Sequence, residues 1–211
     1  TKYPQSHLII QGQTTKIIID PGSLTFNPSA GSGFKIEDFK GADGYLITHS
    51  HPDHMDPGNV KAVVEGQKVY GNSDVVSQLK GLGIKANQVN DRQKFTIGEF
   101  EIMPVDLPHC KMQDGSDGPP NTGFLINGVL FHPGDGDQTP SGLTSDNLAL
   151  PIAGPSITFD GALQFAKDIK AKVVIPIHYD YFKADPVEFK KLAEPLGIEV
   201  RPLANGQEPE I

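Results

Sequence analysis

The sequence predicts an α/β fold in which two sheets pack face to face with helices outside. Apolar runs of strand length alternate with helical patterns along the whole chain, and both halves contain each kind. No linker or shift in composition separates the halves. With 211 residues and 37% hydrophobic content, one domain spanning 1–211 can bury a full core, and no second domain is required.

Residues 8–11 and 16–19 read as paired strands, the first Leu-Ile-Ile-Gln and the second Lys-Ile-Ile-Ile. Strands are also expected at 45–48, 68–70, 94–97 and 100–105. Asp56-Pro57-Gly58-Asn59-Val60 has the form of a helix start, with Asp56 as cap and Pro57 in the first turn, and leads into a helix over 60–65. A second helix covers 75–80 and is stopped by Gly81. In the second half, strands at 123–126 and 129–131 flank Asn127-Gly128, a strong hairpin signal. Helices follow at 159–170 and 187–196, separated by an apolar strand at 173–178. Asp185-Pro186 starts the last helix, with Glu188 placed to answer the cap.

Chemistry enters at the end of the strand 45–48, where His49-Ser50-His51-Pro52-Asp53-His54 crowds four metal-binding side chains into six residues. Imidazole and carboxylate suit zinc, manganese and iron alike. Packing so many polar groups together costs several kcal/mol unless something pairs with them, and a divalent cation is an economical partner. In extended backbone, side chains two apart point the same way, so His49 and His51 can reach one ion. Beyond the bend, Asp53 and His54 diverge and can serve a second. A polar turn whose histidines face water would explain one or two of them, but not this density.

Six residues cannot complete two coordination shells. Three further candidates close apolar runs: His109 after 100–105, Asp135 at the end of Phe131-His132-Pro133-Gly134-Asp135, and His178 at the end of 173–178. Such strand ends, where a sheet meets its loops, are where sites are usually built. Taken singly, each has a plain structural alternative; taken with the first cluster they point to one centre.

This order of residues resembles the metallo-β-lactamase superfamily from about residue 9 to residue 182. His49, His51, Asp53 and His54 match its signature, Asp20 in Ile17-Ile18-Ile19-Asp20-Pro21-Gly22 its first motif, and His109, Asp135 and His178 its third to fifth. Phe131-His132-Pro133-Gly134-Asp135 and Pro176-Ile177-His178-Tyr179 are most similar to the single-domain branch that contains the ascorbate-6-phosphate lactonase. That branch often carries Gly-His-Ser near the amino terminus, whereas Gln5-Ser6-His7 reverses the local order here. The resemblance implies a four-layer αβ/βα sandwich and two divalent metal ions, zinc first, with manganese or iron as alternatives. It also implies that His49, His51 and His109 hold one ion, that Asp53, His54 and His178 hold the other, and that Asp135 bridges them. Asp135 is preferred to the nearby Asp137 because Gly134-Asp135 abuts the strand as in the family pattern.

On that basis the expected activity is hydrolysis of a small ester-type substrate: a lactone, a phosphoester or a phosphodiester. A water between the ions would lose its proton near neutral pH and attack the carbonyl or phosphoryl centre. Asp53 and Asp135 are the expected catalytic carboxylates, Asp53 also orienting the nucleophile. Asp20 and His132 are expected to hold ligands by hydrogen bonds. Tyr179 is a candidate donor to an anionic substrate, against the plainer reading of packing. Cys110, beside His109, is read as an incidental small residue rather than a ligand or nucleophile.

The formal net charge of -8 excludes a protein that grips long nucleic acids by charge and favours a small molecule. Two divalent ions set against Asp53, Asp135 and one hydroxide leave the centre slightly positive, so an anionic group is expected to be welcome there. No run is long and apolar enough for a membrane span and no signal pattern opens the chain, so neither a membrane partner nor secretion is expected. One Cys cannot form an internal disulfide, which fits the cytoplasm. A homo-oligomer is compatible with the sequence, which does not fix assembly state. Two loops, 111–120 and 136–142, are expected to rim the site, unless they are simply solvated connections. Other classes weighed are a metal-dependent sensor or binding protein without turnover and a di-iron redox protein. The redox reading would call for glutamate among the ligands.

Overall fold

The computed structural model describes residues 1–30 and 33–209. One sheet has five strands in the spatial order β1 (Leu8–Gln11), β2 (Lys16–Ile19), β3 (Gly44–Ile47), β4 (Val69–Gly71), β5 (Ala86–Gln88). β1 runs antiparallel to β2, and every later neighbour is parallel. Parallel neighbours need crossovers, supplied here by α1 (Pro57–Val64) between β3 and β4 and α2 (Ser73–Gly81) between β4 and β5. The other sheet has seven strands: β12 (Glu199–Val200), β11 (Val173–Ile177), β10 (Asn147–Pro151), β9 (Leu130–His132), β8 (Thr122–Ile126), β7 (Phe100–Asp106) and β6 (Phe95–Ile97). It is antiparallel from β6 to β9 and parallel from β9 to β12. Its crossovers carry α3 (Phe159–Asp168) and α4 (Pro186–Ala193).

Strand periodicity sorts the apolar residues into layers. Ile17, Ile19 and Leu46 of the first sheet pack against Ile102, Phe124, Ile126 and Ala149 of the second, forming the core between sheets. The intervening residues Ile18, Tyr45 and Ile47 face the other way, onto Val60 and Val63 of α1 and Val75 and Leu79 of α2. On the far side, Leu148, Leu150 and Val174 pack beneath Phe165 and Ala166 of α3 and Phe189 of α4. Both faces of each sheet are therefore covered, which is why the central strands read as continuous apolar runs. Helix, sheet, sheet, helix is the four-layer αβ/βα sandwich.

Local signals act as expected. Asp56 caps α1 by accepting from Asn59 N at 2.8 Å, and Asp185 caps α4 by accepting from Val187 N at 2.8 Å. Asn127 and Gly128 both adopt positive φ, 52° and 67°, the twist a two-residue hairpin turn requires. Some boundaries differ. α2 runs through Gly81, and the left-handed residue that ends it is Gly83 at φ 76°. α3 stops at Asp168, with Lys170 left-handed at φ 60°. The helix expected over 187–196 gives way after Ala193 to a 3-10 turn, Glu194–Leu196, because Pro195 has no N–H to continue the α-helical ladder. β5, β10 and β12 were not anticipated: Ala86-Asn87-Gln88 is polar, Glu199-Val200 is two residues long, and Asn147-Leu148-Ala149-Leu150-Pro151 is framed by poor strand formers.

Candidate metal centre

Five strand ends converge. Asp20 follows β2, His49 to His54 follow β3, His109 follows β7, Asp135 follows β9, and His178 follows β11. All lie beyond the carboxyl ends of their strands, the edge at which α/β sheets build sites. Two groups of metal-ligating side chains result: His49, His51, His109 and Asp135, and Asp53, His54 and His178, with potential ligand atoms within 4.8 Å of one another in each. Asp135 lies between them. Its Oδ2 is 3.1 Å from His178 Nε2, 3.6 Å from His109 Nε2 and 3.9 Å from His49 Nε2, while Oδ1 is 3.2 Å from His54 Nε2.

The outward ring nitrogens are fixed by what the other nitrogen holds. His109 Nδ1 contacts Cys110 O at 2.6 Å and His178 Nδ1 contacts Ala153 O at 2.8 Å; a carbonyl can only accept, so each Nδ1 carries a proton and each Nε2 is the atom turned to the centre. Asp20 accepts from Thr48 N at 2.8 Å and Thr48 Oγ1 at 2.7 Å, and lies 2.8 Å from His54 Nδ1. Thr48 Oγ1 in turn lies 3.0 Å from His49 Nδ1. One buried carboxylate and one hydroxyl thus orient two imidazoles. Asp20 and His178 themselves stand at φ 51° and 60°, sparsely populated backbone of the kind that concentrates at functional sites.

A metal ion fits what these groups lack. His54 Nε2, His109 Nε2 and Asp135 Oδ1 are buried and make no hydrogen bond, even though the first and last are 3.2 Å apart. Buried polar atoms are rarely left so. The charges agree. Burial would lower the pKa of His178, but Asp135 and Asp53 outweigh it and hold the ring up at about 10. Burial likewise works against charge on His54, and Asp135, Asp20 and Asp53 still raise it well above 6.5. His49, with burial reinforced by the charge on His54, falls well below that value. Burial opposes ionisation of Asp135, but His178 and His54 hold its pKa well below the usual carboxylate range. In the metal-free chain, protons on two imidazoles take the place that cations would fill. Neither group contains a glutamate.

Above the centre opens a cavity of about 360 Å³. His51, Asp53, His109, Asp135 and His178 form its polar part, and Leu24, Pro52, Met112, Pro155, Tyr181 and Phe182 most of the rest. The loop 111–120 does rim the site: Met112 lines the cavity, and Gly118 packs so closely on the His109 ring that a side chain there would collide with it. The loop 136–142 mostly turns away. Gly136 bridges to His109 through its backbone, but Ser141 O accepts from Arg92 and no residue of the loop lines this cavity.

One expectation needs correction, and others take a definite form. His132 bonds to backbone rather than to a ligand: it donates from Nε2 to Ser6 O at 2.9 Å and accepts at Nδ1 from Gly134 N at 3.1 Å, so it shapes the turn that delivers Asp135. Tyr179 is not aimed at a substrate. Its hydroxyl donates to Leu203 O at 3.1 Å, with Lys2 Nζ 4.3 Å above the ring. Cys110 is buried, and desolvation with Asp135 nearby pushes its thiol up to about 11, which keeps it protonated and unreactive. His7 lies apart from the metal-ligating groups, packed against Tyr3 and Phe39, with Nδ1 2.8 Å from Thr25 Oγ1. Three supporting residues gave no sequence signal: Thr48, Asn121, whose Oδ1 accepts from Asp135 N at 3.2 Å, and Gln5, whose Nε2 donates to Asp53 Oδ2 at 3.2 Å. No local pattern gives them a role: Thr48 reads as the last residue of its strand, and Gln5 and Asn121 reach the site only through the fold.

The family described as beta-lactamase superfamily domain matches residues 1–178. The chain belongs to the metallo-β-lactamase superfamily. Among its relatives, a UPF0173 metal-dependent hydrolase of Methanocaldococcus jannaschii is 31% identical over 87% of this chain and 88% of its own length. Another, from Pyrococcus abyssi, is 32% identical over 84% of each chain. Among solved structures, a metallo hydrolase from Ignicoccus hospitalis superposes with a TM-score of 0.78 at 24% identity, covering 98% of this chain and 95% of that one. An isothiocyanate hydrolase from Delia radicum gut bacteria reaches a TM-score of 0.70 at 17% identity over 98% and 97%. These two likenesses show the fold. As a member of the metallo-β-lactamase superfamily, the protein is a metal-dependent hydrolase with a His/Asp cluster suited to metal. Among the described residues, no helix is long and apolar enough to cross a membrane.

Proposed function

We propose that the protein is a dinuclear metal-dependent hydrolase of small ester-type substrates. His49, His51 and His109 would hold one divalent ion, Asp53, His54 and His178 the other, and Asp135 both. The observation that carries this reading is Asp135 itself, one oxygen turned toward His54 and the other toward His49, His109 and His178. Bound ions would supply a water acidic enough to attack at neutral pH and a Lewis acid for the oxygen that gains charge.

The chain's own residues do the rest. Asp53, kept ionised against burial by His54 and His178, can accept a proton from the attacking water or orient it. Asp20 and Thr48 hold the imidazoles of His54 and His49 in place, so the centre needs little rearrangement to react. Leu24, Met112, Tyr181 and Phe182 give the cavity an apolar wall beside the polar centre. Zinc is the first choice of metal, with manganese or iron accepted by the same ligands, and the cytoplasm is the expected setting.

The test is to strip the protein with chelator, reload it with zinc, manganese or iron, and measure metal content beside turnover of p-nitrophenyl acetate and bis(p-nitrophenyl) phosphate. Full activity at about two ions per chain is expected. Full activity at one ion would refute the dinuclear arrangement, and no turnover of either ester by metal-loaded protein would refute the hydrolase reading of this site.

A further inference from the structure

We propose that the substrate is a small uncharged carboxylic ester, open-chain or cyclic, whose apolar substituent lies against Leu24, Met112, Pro155, Tyr181 and Phe182. This rests on the hydrolase reading above and narrows its substrate class. Two features of the cavity carry it.

The first is chemical asymmetry. Among the described residues, every ionisable group facing the cavity, apart from the Tyr181 phenol, belongs to the candidate metal cluster, whereas the remaining lining residues are apolar but for Ser23 and that phenol. A ligand entering there can present one polar group to the centre and must lay the rest of itself on hydrocarbon and aromatic surface. At about 360 Å³ the space is near the lower end of small-molecule sites, which run from about 300 to 1,000 Å³, so the substituent is short.

The second is charge. Among the described residues lining the cavity there is no lysine or arginine. Sites that select phosphate esters normally surround the phosphoryl oxygens with such cations or with backbone N–H groups, because desolvating an anion without partners is costly. Lys111 and Lys183 neighbour the lining residues Met112 and Phe182 in sequence, but neither lines the cavity, and Lys111 pairs with Asp117. Lys2, behind Gln5, is tied to Asp180 and Asn205. The net charge of -8 further disfavours an anion approaching from solution. The slight positive charge expected at the centre is thus left for the oxygen that becomes negative during the reaction, not for a charge the substrate brings. In the reaction the water oxygen bonds to the carbonyl carbon, the carbon–alkoxide bond breaks, and the water's proton ends on the departing alkoxide, giving acid and alcohol.

Fully metallated protein should be assayed with p-nitrophenyl acetate, butyrate and hexanoate beside p-nitrophenyl phosphate and bis(p-nitrophenyl) phosphate, which share one leaving group. We expect kcat/KM to rise about 10- to 200-fold from acetate to hexanoate, as burial of between about two and all four of the added methylenes predicts, and the phosphoesters to be at least about 100-fold slower. Met112→Lys should bring the hexanoate-to-acetate ratio to about 1 if Met112 forms the apolar wall. Faster turnover of either phosphoester, or a ratio near 1 in the unaltered protein, would overturn the proposal and leave the hydrolase reading standing. Failure to cleave any of the five would overturn both.

Discussion

Gln5 donates its side-chain amide to Asp53 Oδ2 at 3.2 Å, the same oxygen that lies 3.2 Å from His178 Nε2. The two residues are 48 positions apart, and Gln5 also holds the loop beyond His178: its Oε1 accepts from Tyr181 N at 3.0 Å and its carbonyl from His178 N at 3.0 Å. Gln5→Leu removes the side-chain bonds while keeping bulk. We predict a loss of about 1–3 kcal/mol in unfolding free energy and a fall of about 10–100-fold in kcat/KM or metal affinity, the usual effect of losing a group that orients a ligand. Urea titration with steady-state kinetics and metal analysis would check both. Unchanged activity would show that Asp53 does not need the amide.

His51 is the half-buried member of its group, with Nδ1 3.1 Å from His49 Nε2. His51→Ala should abolish metal-dependent turnover and leave the circular dichroism spectrum close to that of the parent, since little packing is lost. Undiminished turnover in this variant would contradict the ligand assignment.

The charges make a pH prediction. His178 is held up at about 10 in the metal-free fold, above its ordinary 6.5, so the stability it contributes is complete below 6.5 and is lost as pH rises through about 10. His49, held below 6.5, acts in the other direction and costs stability as pH falls beneath that value. Metal-free protein should therefore show a melting temperature that declines between pH 6.5 and 10, whereas metal-loaded protein declines less. Metal uptake at pH 7.5 should also release protons, seen as calorimetric heats that vary with buffer ionisation enthalpy. Buffer-independent heats would exclude the displacement of imidazolium protons.

Gly22 packs against the backbone of Asp53 and His54 so closely that any Cβ would overlap it. Gly22→Ala should displace the turn that carries both residues, with lower metal content and activity and a loss of about 1–3 kcal/mol of stability. Cys110→Ser is the contrasting case: with its thiol protonated, the rate should change by less than about 2-fold. A strong loss of rate would give Cys110 a role in the chemistry.

Much of the centre was legible in the sequence because metal ligation demands particular side chains at particular spacings. His49 to His54, His109, Asp135 and His178 are each marked by an apolar run that leads into a candidate ligating residue, and the fold brings these residues into two groups able to hold metal. The supporting residues were not legible. Thr48 reads as one more strand residue, and Gln5 and Asn121 act through tertiary contacts that no local pattern encodes. His132 shows the limit from the other side, a histidine in a family motif whose bonds prove to be backbone bonds. In the fold, polar β5 and two-residue β12 escaped because strands at sheet edges are set by their neighbours more than by their own composition.

The order in which the ligating residues occur along the chain has a consequence for biosynthesis. Residues 49–54 leave the ribosome well before His178, the candidate ligand that sits in place only after β11 has docked beside β10. On the proposed ligation, a growing polypeptide offers a cation only a partial, weaker grip until β11 has been synthesised. Metal capture would then act as a checkpoint on the docking of β11 rather than as a seed for folding, and chains truncated before β11 should compete poorly for scarce cellular metal.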